Sequence, residues 1–350
     1  MNGLNVLNAG NIECGMNIDR ESFRIVQFSD LHMGESDDQY TLRLMRWIVS
    51  TERPDFIVFS GDQVSGYAVF GEDQRALLWQ KALSVASEFG VPFATIFGNH
   101  DDQPYHLDPL LWHTWALVAI ISALIAFVAV RFLDRGEKIG RLAVIPVGFL
   151  CFFIFMVTGP NPSVRISLLE HEHLTYPRLS YTAYSPPNLH GVSNYRLVLR
   201  SSNASVALYF LDTGGGWIPE AIHDDQVEWL KSFDPVPSLV FMHIPPMQYG
   251  AMYSKSNCFG PAPLETSSGC PGSDTLLQTL SDIGTIGVFV GHDHGNSWCC
   301  RSDGMLLCYG RHSGYGGYDF GGPERGARVI DLSLRNSVTI ETRVSVWEKN

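Results

Sequence analysis

Over the first hundred residues, short apolar runs that stop at polar side chains alternate with amphipathic stretches. Residues 23–29 form one such run, which ends at Asp30-Leu31-His32. Residues 37–51 place Leu42, Leu44, Met45, Ile48 and Val49 at helical spacing, with Asp37 or Asp38 as the N-cap. Pro54 precedes a second run, 55–60, ending at Gly61-Asp62; residues 73–89 read as another amphipathic helix; a third run, 91–96, leads into Gly98-Asn99-His100-Asp101. Strand, helix, strand, helix, strand predicts right-handed βαβ units and a largely parallel sheet. Further on, 195–199 and 206–211 read as paired strands and 224–233 as a helix. Residues 239–242 are a strand ending at His243, 273–283 a helix, and 286–290 a strand ending at Gly291-His292-Asp293-His294. The tail alternates with period two over 305–309, 327–331 and 338–346, which predicts antiparallel strands closing the sheet at one edge.

One block breaks this pattern. Residues 110–130 contain no Asp, Glu, Lys or Arg and are long enough to cross a bilayer; 131–141 are charged; 142–158 form a second apolar run. Trp112 and Trp115 sit where an interfacial aromatic belt would. Three readings fit the block: a transmembrane hairpin, a hydrophobic flap packed on the domain or a partner, or sequence foreign to the fold. A hairpin returns the chain to its starting side, so the halves flanking it share one compartment. Arg131, Arg135, Lys138 and Arg141 would make its loop cytosolic and the flanking domain lumenal or extracellular. Residues 1–22 show no charged n-region followed by an apolar core, so they read as an N-terminal extension and not as a signal peptide.

Composition narrows the function. With 45% hydrophobic residues in 350 the chain folds around a substantial core. A formal charge of −12 argues against nucleic acid as a partner, but not against phosphate substrates, because bound cations reverse the local sign. Five of the seven cysteines (Cys258, Cys270, Cys299, Cys300, Cys308) crowd the last third; their spacing fits no zinc ribbon and is read equally well as buried thiols or as disulfides. Asn203-Ala204-Ser205 is a usable glycosylation sequon.

Five strand ends carry polar clusters: Asp30/His32, Asp62, Asn99/His100, His243 and His292/His294. Carboxylate oxygen together with neutral imidazole nitrogen suits zinc, iron or manganese. A single histidine is ordinarily structural, but packing alone does not put such a cluster after five separate apolar runs. Other candidates are weaker. Glu170-His171-Glu172-His173 caps or links the apolar block, Asp212-Thr213 and the glycines after it read as a strand end and turn, and Glu324, Arg325 and Arg328 read as solvated charges.

Asp-x-His, Gly-Asp, Gly-Asn-His-Asp, a separate His and Gly-His-x-His, in this order from Asp30 to His294, resemble the calcineurin-like metallophosphoesterase family. Leu189-His-Gly-Val-Ser-Asn-Tyr195, Gly216-Trp-Ile218 and Gly310-Arg-His-Ser-Gly-Tyr-Gly-Gly317 resemble its branch called probable inactive purple acid phosphatases. The resemblance implies an α/β fold, a four-layer α/β/β/α sandwich over residues 23–350, with 110–158 as an inserted hydrophobic hairpin. It assigns Asp30, His32 and His294 to one metal ion and Asn99, His243 and His292 to a second, with Asp62 bridging. Two such cations (Fe, Mn or Zn) acidify a bridging water and clamp phosphate oxygens, while His100 protonates the leaving alkoxide. Arg311 and His312 are candidates for contact with the phosphate. The implied activity is phosphomonoester hydrolysis on a phosphorylated small molecule or phosphoprotein. A phosphodiesterase of nucleotide or lipid phosphates, or a catalytically silent membrane-associated scaffold, is the alternative. Position 65, a tyrosinate ligand in purple enzymes and an aspartate orienting the catalytic histidine in many protein phosphatases, is Ser65 here. With Ser65 in that place the purple colour does not follow; inactivity does not follow either, because each ligand position that the resemblance assigns is filled, but the partner that orients His100 is left open.

Overall fold

The computed structural model describes residues 13–103 and 163–347, less 19, 36, 70, 217, 255, 321–323 and 336. The apolar block expected as a hairpin over 110–158 lies outside the described residues. Among the described residues, no helix is long and apolar enough to cross a membrane.

The predicted βαβ pattern builds half of the fold. Strand β2 (Ser22–Phe28) is followed by α1 (Asp38–Glu52), β3 (Phe56–Ser60), α2 (Glu72–Phe89) and β4 (Phe93–Ile96). Helix α1 buries Leu44, Met45, Ile48 and Val49 and ends on Arg53 in the left-handed conformation, just before Pro54, which cannot continue a helix. Helix α2 stops at Gly90, whose N–H caps Ala86 and Ser87 carbonyls from a left-handed φ of 66°. Strands β2, β3 and β4 pair in parallel. The tail strands β12 (Gly326–Ser333) and β13 (Thr339–Val346) add antiparallel beyond β2, giving a five-stranded sheet in the order β13-β12-β2-β3-β4.

A second sheet of eight strands has the order β1-β5-β6-β7-β9-β11-β10-β8. It contains β5 (Tyr195–Arg200), β6 (Ser205–Leu211), β7 (Ser238–Met242), β9 (Thr285–Val290) and β11 (Met305–Tyr309), with the short β8 (Cys258–Phe259) and β10 (Cys299–Ser302) at one edge. Its other edge is β1 (Glu13–Asn17), from the stretch read as an extension, paired parallel to β5. One expectation needs correcting: β11 does not join the antiparallel tail but runs parallel to β9 in this second sheet. Its residues are buried on both faces, which suits a central strand rather than an edge.

Three apolar clusters separate these elements. The first lies between one face of the five-stranded sheet (Val26, Phe28, Ile57, Phe59) and α1, α2 and α3 (Ser163–Thr175). The second joins the opposite face (Ile25, Phe56, Val58) to Leu197, Phe210, Phe241 and Phe289 of the larger sheet. The third packs that sheet's far face against α4 (Asp224–Lys231) and α5 (Leu276–Asp282) through Val227, Leu230, Leu276 and Leu280. Period-two alternation within β2 sends Val26 and Phe28 into one cluster and Ile25 into another.

Among the described residues the cysteines form two disulfides, Cys258–Cys300 and Cys299–Cys308, and Cys270 is a buried free thiol. Adjacent residues of a strand face opposite sides of a sheet. Cys299 and Cys300 therefore point apart, Cys299 directly opposite Cys308 on β11 and Cys300 opposite Cys258 on β8.

Candidate metal centre

Each residue expected in the site stands at the carboxyl end of a strand in the parallel core of one of the two sheets. Asp30 and His32 follow β2, Asp62 follows β3, and Asn99 and His100 follow β4. His243 follows β7, and His292 and His294 follow β9. This is the edge at which open α/β sheets hold ligands, and here the two edges meet. His243 Nδ1 lies 2.9 Å from the Ser60 carbonyl across the junction, and Gln27 of β2 donates to the Val290 carbonyl of β9 at 3.2 Å. Close approach requires glycine at two points. A Cβ at Gly61 would lie 2.2 Å from His243 Nδ1, and one at Gly98 would lie 2.1 Å from Asp62 Oδ1.

The side chains gather into two groups able to hold a metal ion, Asp30/His32/His294 and Asp62/His243/His292, with ligand atoms within 4.8 Å of one another. Asn99 joins the second, its Oδ1 lying 3.1 Å from His243 Nε2 and 3.0 Å from His292 Nδ1. Asp62 stands between the groups: Oδ2 is 3.1 Å from His243 Nε2 and 3.7 Å from His32 Nε2. His32 Nε2 and His294 Nε2 are 3.1 Å apart.

The remote ring nitrogens are anchored, which leaves the near ones to face inward. His32 Nδ1 meets Ser65 Oγ at 3.0 Å, His243 Nδ1 the Ser60 carbonyl, and His294 Nδ1 the Tyr318 carbonyl at 2.8 Å. Carbonyls only accept, so His243 and His294 carry a proton on Nδ1, which leaves Nε2 as the ring nitrogen that can face a metal ion. Burial pushes His292 down to about 3, His294 down to about 4 and His32 well below its ordinary value, so these rings are neutral. Burial alone would also lower His243, but the Asp62 carboxylate beside it raises it to about 10. Asp30 and Asp62 are two carboxylates only 2% and 1% exposed among mostly neutral rings. Such a donor set calls for bound positive charge, and the residues fit a metal pair.

Asp30, His32, Asp62, His243 and His294 are buried, whereas Asn99, His100 and His292 are partly exposed and form the open side of the site. His100 Nε2 is 4.0 Å from Asp62 Oδ2, and its backbone N–H donates to Asp62 Oδ1 at 2.8 Å. The partner that position 65 does not supply is Gln103, whose amide oxygen accepts from His100 Nδ1.

Arg311 and His312, the candidates for contact with phosphate, are both engaged by protein groups. The Arg311 guanidinium donates to the Glu324 carbonyl at 2.7 Å and to Ser297 Oγ at 3.2 Å. His312 is buried against His294, ring centroids 3.7 Å apart, and takes Arg325 on Nδ1. Arg328, expected in solvent, is buried and donates to the Tyr309 and Ser297 carbonyls; long apolar stems make such burial tolerable once the head is satisfied. Glu172, from the cluster after the apolar block, is a helix-to-sheet anchor, accepting from Trp79 Nε1, Thr95 Oγ1 and Ser180 Oγ.

Sequence reasoning missed the residues that hold the loops. The Asp101 carboxylate accepts N–H groups of Asp62, Val64 and Gly98 at 3.0, 2.9 and 2.7 Å, locking the loop after β3 to the loop after β4. Arg165 is wholly buried, pairing with Asp102 at 3.0 Å and Asp212 at 2.7 Å while donating to the Gly98 carbonyl. The available signal was a charged residue inside an apolar helical face.

Comparison with known proteins agrees with this geometry. Residues 23–159 match the family model described as calcineurin-like phosphoesterase. The chain is 26% identical to "Probable inactive purple acid phosphatase 28" of Arabidopsis thaliana, covering 90% of this chain and 76% of that one. It is 25% identical to "Phosphatase DCR2" of Saccharomyces cerevisiae over 95% of this chain, spanning about half (54%) of that longer protein. A solved structure described as a dimetal phosphatase from Danio rerio is 11% identical at a TM-score of 0.44, covering 92% of this chain and 96% of that one, a likeness too slight to argue from. With its ordered motifs assembled at one sheet junction, the chain is similar to the calcineurin-like phosphoesterases, whose family model matches residues 23–159, and to the probable inactive purple acid phosphatases.

Proposed function

We propose that the chain is a dinuclear-metal-dependent phosphoesterase that hydrolyses phosphomonoesters of small molecules or phosphoproteins. Asp30, His32 and His294 hold one ion, Asn99, His243 and His292 the other, and Asp62 is shared. Iron, manganese or zinc suits this mixture of oxygen and nitrogen donors. Two such cations, when bound, supply Lewis acidity toward phosphoryl oxygens and lower the pKa of water. The protein's own residues do the rest. The Ser60 and Tyr318 carbonyls hold His243 and His294 in the ligand tautomer. His100, on the open side with Nδ1 tied to Gln103, presents Nε2 to deliver a proton to the leaving alkoxide. In the same reading the three apolar clusters support a four-layer α/β/β/α sandwich, interrupted by the insertion at 110–158.

One observation supports this reading above the others: two donor groups meet across a shared carboxylate with their lone pairs converging. The test is turnover of p-nitrophenyl phosphate by protein loaded with Mn, Fe or Zn. Asp62→Asn is expected to abolish it. His100→Ala is expected to lower kcat by about 10²–10⁴-fold, with metal content unchanged. Full metal occupancy without turnover of any phosphoester would remove the enzymatic reading.

A further inference from the structure

Glu35 lies in the loop that follows His32 and accepts three hydrogen bonds from two distant parts of the chain. Oε1 takes the Ser65 hydroxyl at 2.6 Å and the Tyr67 hydroxyl at 2.7 Å, and Oε2 takes the Gly317 N–H at 3.0 Å. We propose that Glu35 is a positioning residue of the metal centre, acting through Ser65 on His32 and through Tyr67 on His100. The proposal rests on the two-metal reading in taking His32 as a ligand.

The argument is a proton count. Ser65 Oγ is 2.6 Å from Glu35 Oε1 and 3.0 Å from His32 Nδ1, and it has one proton to give. A hydroxyl alone is a rotor: it donates to Nδ1 as readily as it accepts from it, and donation would put the imidazole proton on Nε2. The carboxylate removes that freedom, because an acceptor-only group claims the hydroxyl proton. Ser65 Oγ is then left to accept from Nδ1–H, and the lone pair of His32 is fixed on Nε2. That nitrogen faces His294 Nε2 and Asp62 Oδ2. Glu35 thus supplies a carboxylate–histidine pairing at one remove, with a serine in between.

Its other two bonds reach the same centre. The Tyr67 ring meets His100 edge-on, centroids 5.4 Å apart at 73°, so the Tyr67–Glu35 bond sets a wall of the partly exposed His100. Gly317 precedes Tyr318, whose carbonyl anchors His294 Nδ1 and whose ring stacks on His294 with centroids 3.8 Å apart. One carboxylate therefore ties together the supports of two ligands of the first donor group and of the proposed acid.

The measurement is calorimetric titration of metal-free protein with Zn²⁺, with His294→Ala and His243→Ala used to assign each binding event to its donor group. Glu35→Gln and Ser65→Ala are each expected to weaken the event at Asp30/His32/His294 by about 10- to 100-fold, with the other event unchanged. Ser65→Thr keeps the hydroxyl and is expected to restore wild-type affinity. Wild-type affinity at both events in Glu35→Gln and Ser65→Ala would overturn the proposal. So would a Ser65→Thr protein as weak as Ser65→Ala, which would mean that packing rather than the hydroxyl matters, or wild-type protein that takes up no Zn²⁺. A protein that binds two Zn²⁺ ions and shows these shifts yet hydrolyses no phosphoester would remove the phosphoesterase reading and leave the role of Glu35 standing.

Discussion

Asp30, His32, Asp62 and His292 all hold positive φ, between 49° and 75°. An L-residue in the left-handed region costs about 1–2 kcal/mol, and such strain concentrates where surrounding structure over-determines the backbone for function. Here the over-determination is visible. The Asp62 N–H is held by Asp101, and the His292 N–H by Asp30 Oδ1 at 3.1 Å. The strain can be separated from the loss of the side chain by comparing two truncations of His292, whose φ is 75°. Both His292→Ala and His292→Gly delete the imidazole, but only alanine keeps the left-handed penalty. Glycine ordinarily destabilises relative to alanine through the unfolded chain. The prediction reverses that order: urea unfolding of the metal-free variants is expected to find His292→Gly the more stable by about 1 kcal/mol. An alanine variant of equal or greater stability would show that the turn carries no strain. Arg165 gives a second prediction at this scale. It stands between the buried carboxylates of Asp102 and Asp212, which raise its pKa although burial alone would lower it. Arg165→Met would remove the cation that pairs with both carboxylates, and a loss of about 3–5 kcal/mol in the same assay is expected. A loss below about 1 kcal/mol would mean that the backbone donors around the two aspartates suffice.

Strand β10 shows what an element adds that its residues do not reveal. Cys299 and Cys300 are neighbours, and the sequence alone left open whether they are thiols or halves of disulfides. Once β10 lies between β8 and β11, register decides the pairing, since each cysteine stands opposite one other. The Cys258–Cys300 bridge closes a separation of 42 residues and the Cys299–Cys308 bridge one of 9. Loop-closure entropy assigns about 4 kcal/mol to the former and about 3 kcal/mol to the latter. Peptide mapping under non-reducing conditions is expected to recover these two pairs. The Cys258→Ala/Cys300→Ala protein should lose about 4 kcal/mol against urea and keep its metal, because β10 and β11 lie between β8 and the ligand-bearing β9. A mixed pairing would mean that the edge strands take another register. The same contrast explains how much of the fold was readable. Elements such as α1, β3 and β9 were legible because their periodicity and end signals are local. The placement of β11 beside β9 was not, because strand order depends on contacts distant in the chain. The residues proposed as ligands stood out for the same local reason, since each follows an apolar run. Glu35, Gln103 and Arg165 were not, because their meaning lies in which loop each one touches.

At the scale of the whole molecule, the site belongs to neither sheet; it exists where the parallel edges of both converge, and the loop after β4 is held there from two sides. Arg75 of α2 donates to the Asp101 and Gln103 carbonyls, each at 3.0 Å, and Arg165 of α3 pairs with Asp102. Gln103 and Arg165, on the two flanks of residues 104–162, are thereby fastened to one floor. The closing ion pair, Asp102–Arg165, spans 63 residues of sequence in 3.0 Å of space. Loop length influences closure entropy only logarithmically. Among the described residues this anchoring runs through Arg75, Asp102 and Arg165, and the fold and the candidate metal centre are expected to survive removal of 104–162. A variant with 104–162 replaced by a Gly/Ser linker of about six residues, which reaches about 20 Å when extended, is expected to fold, to bind the same metals, and to turn over p-nitrophenyl phosphate with unchanged kcat/KM. Failure to fold or to bind metal would show that the apolar block is part of the core and not an insertion. If the variant keeps activity on the soluble ester but loses it on phosphorylated lipid in vesicles, the block is what brings the open side of the site, Asn99, His100 and His292, to a membrane surface. Equal activity on both substrates would leave it without a part in substrate choice. The outcome turns on residues 98–103, because the replaced stretch begins directly after the loop that carries the proposed acid.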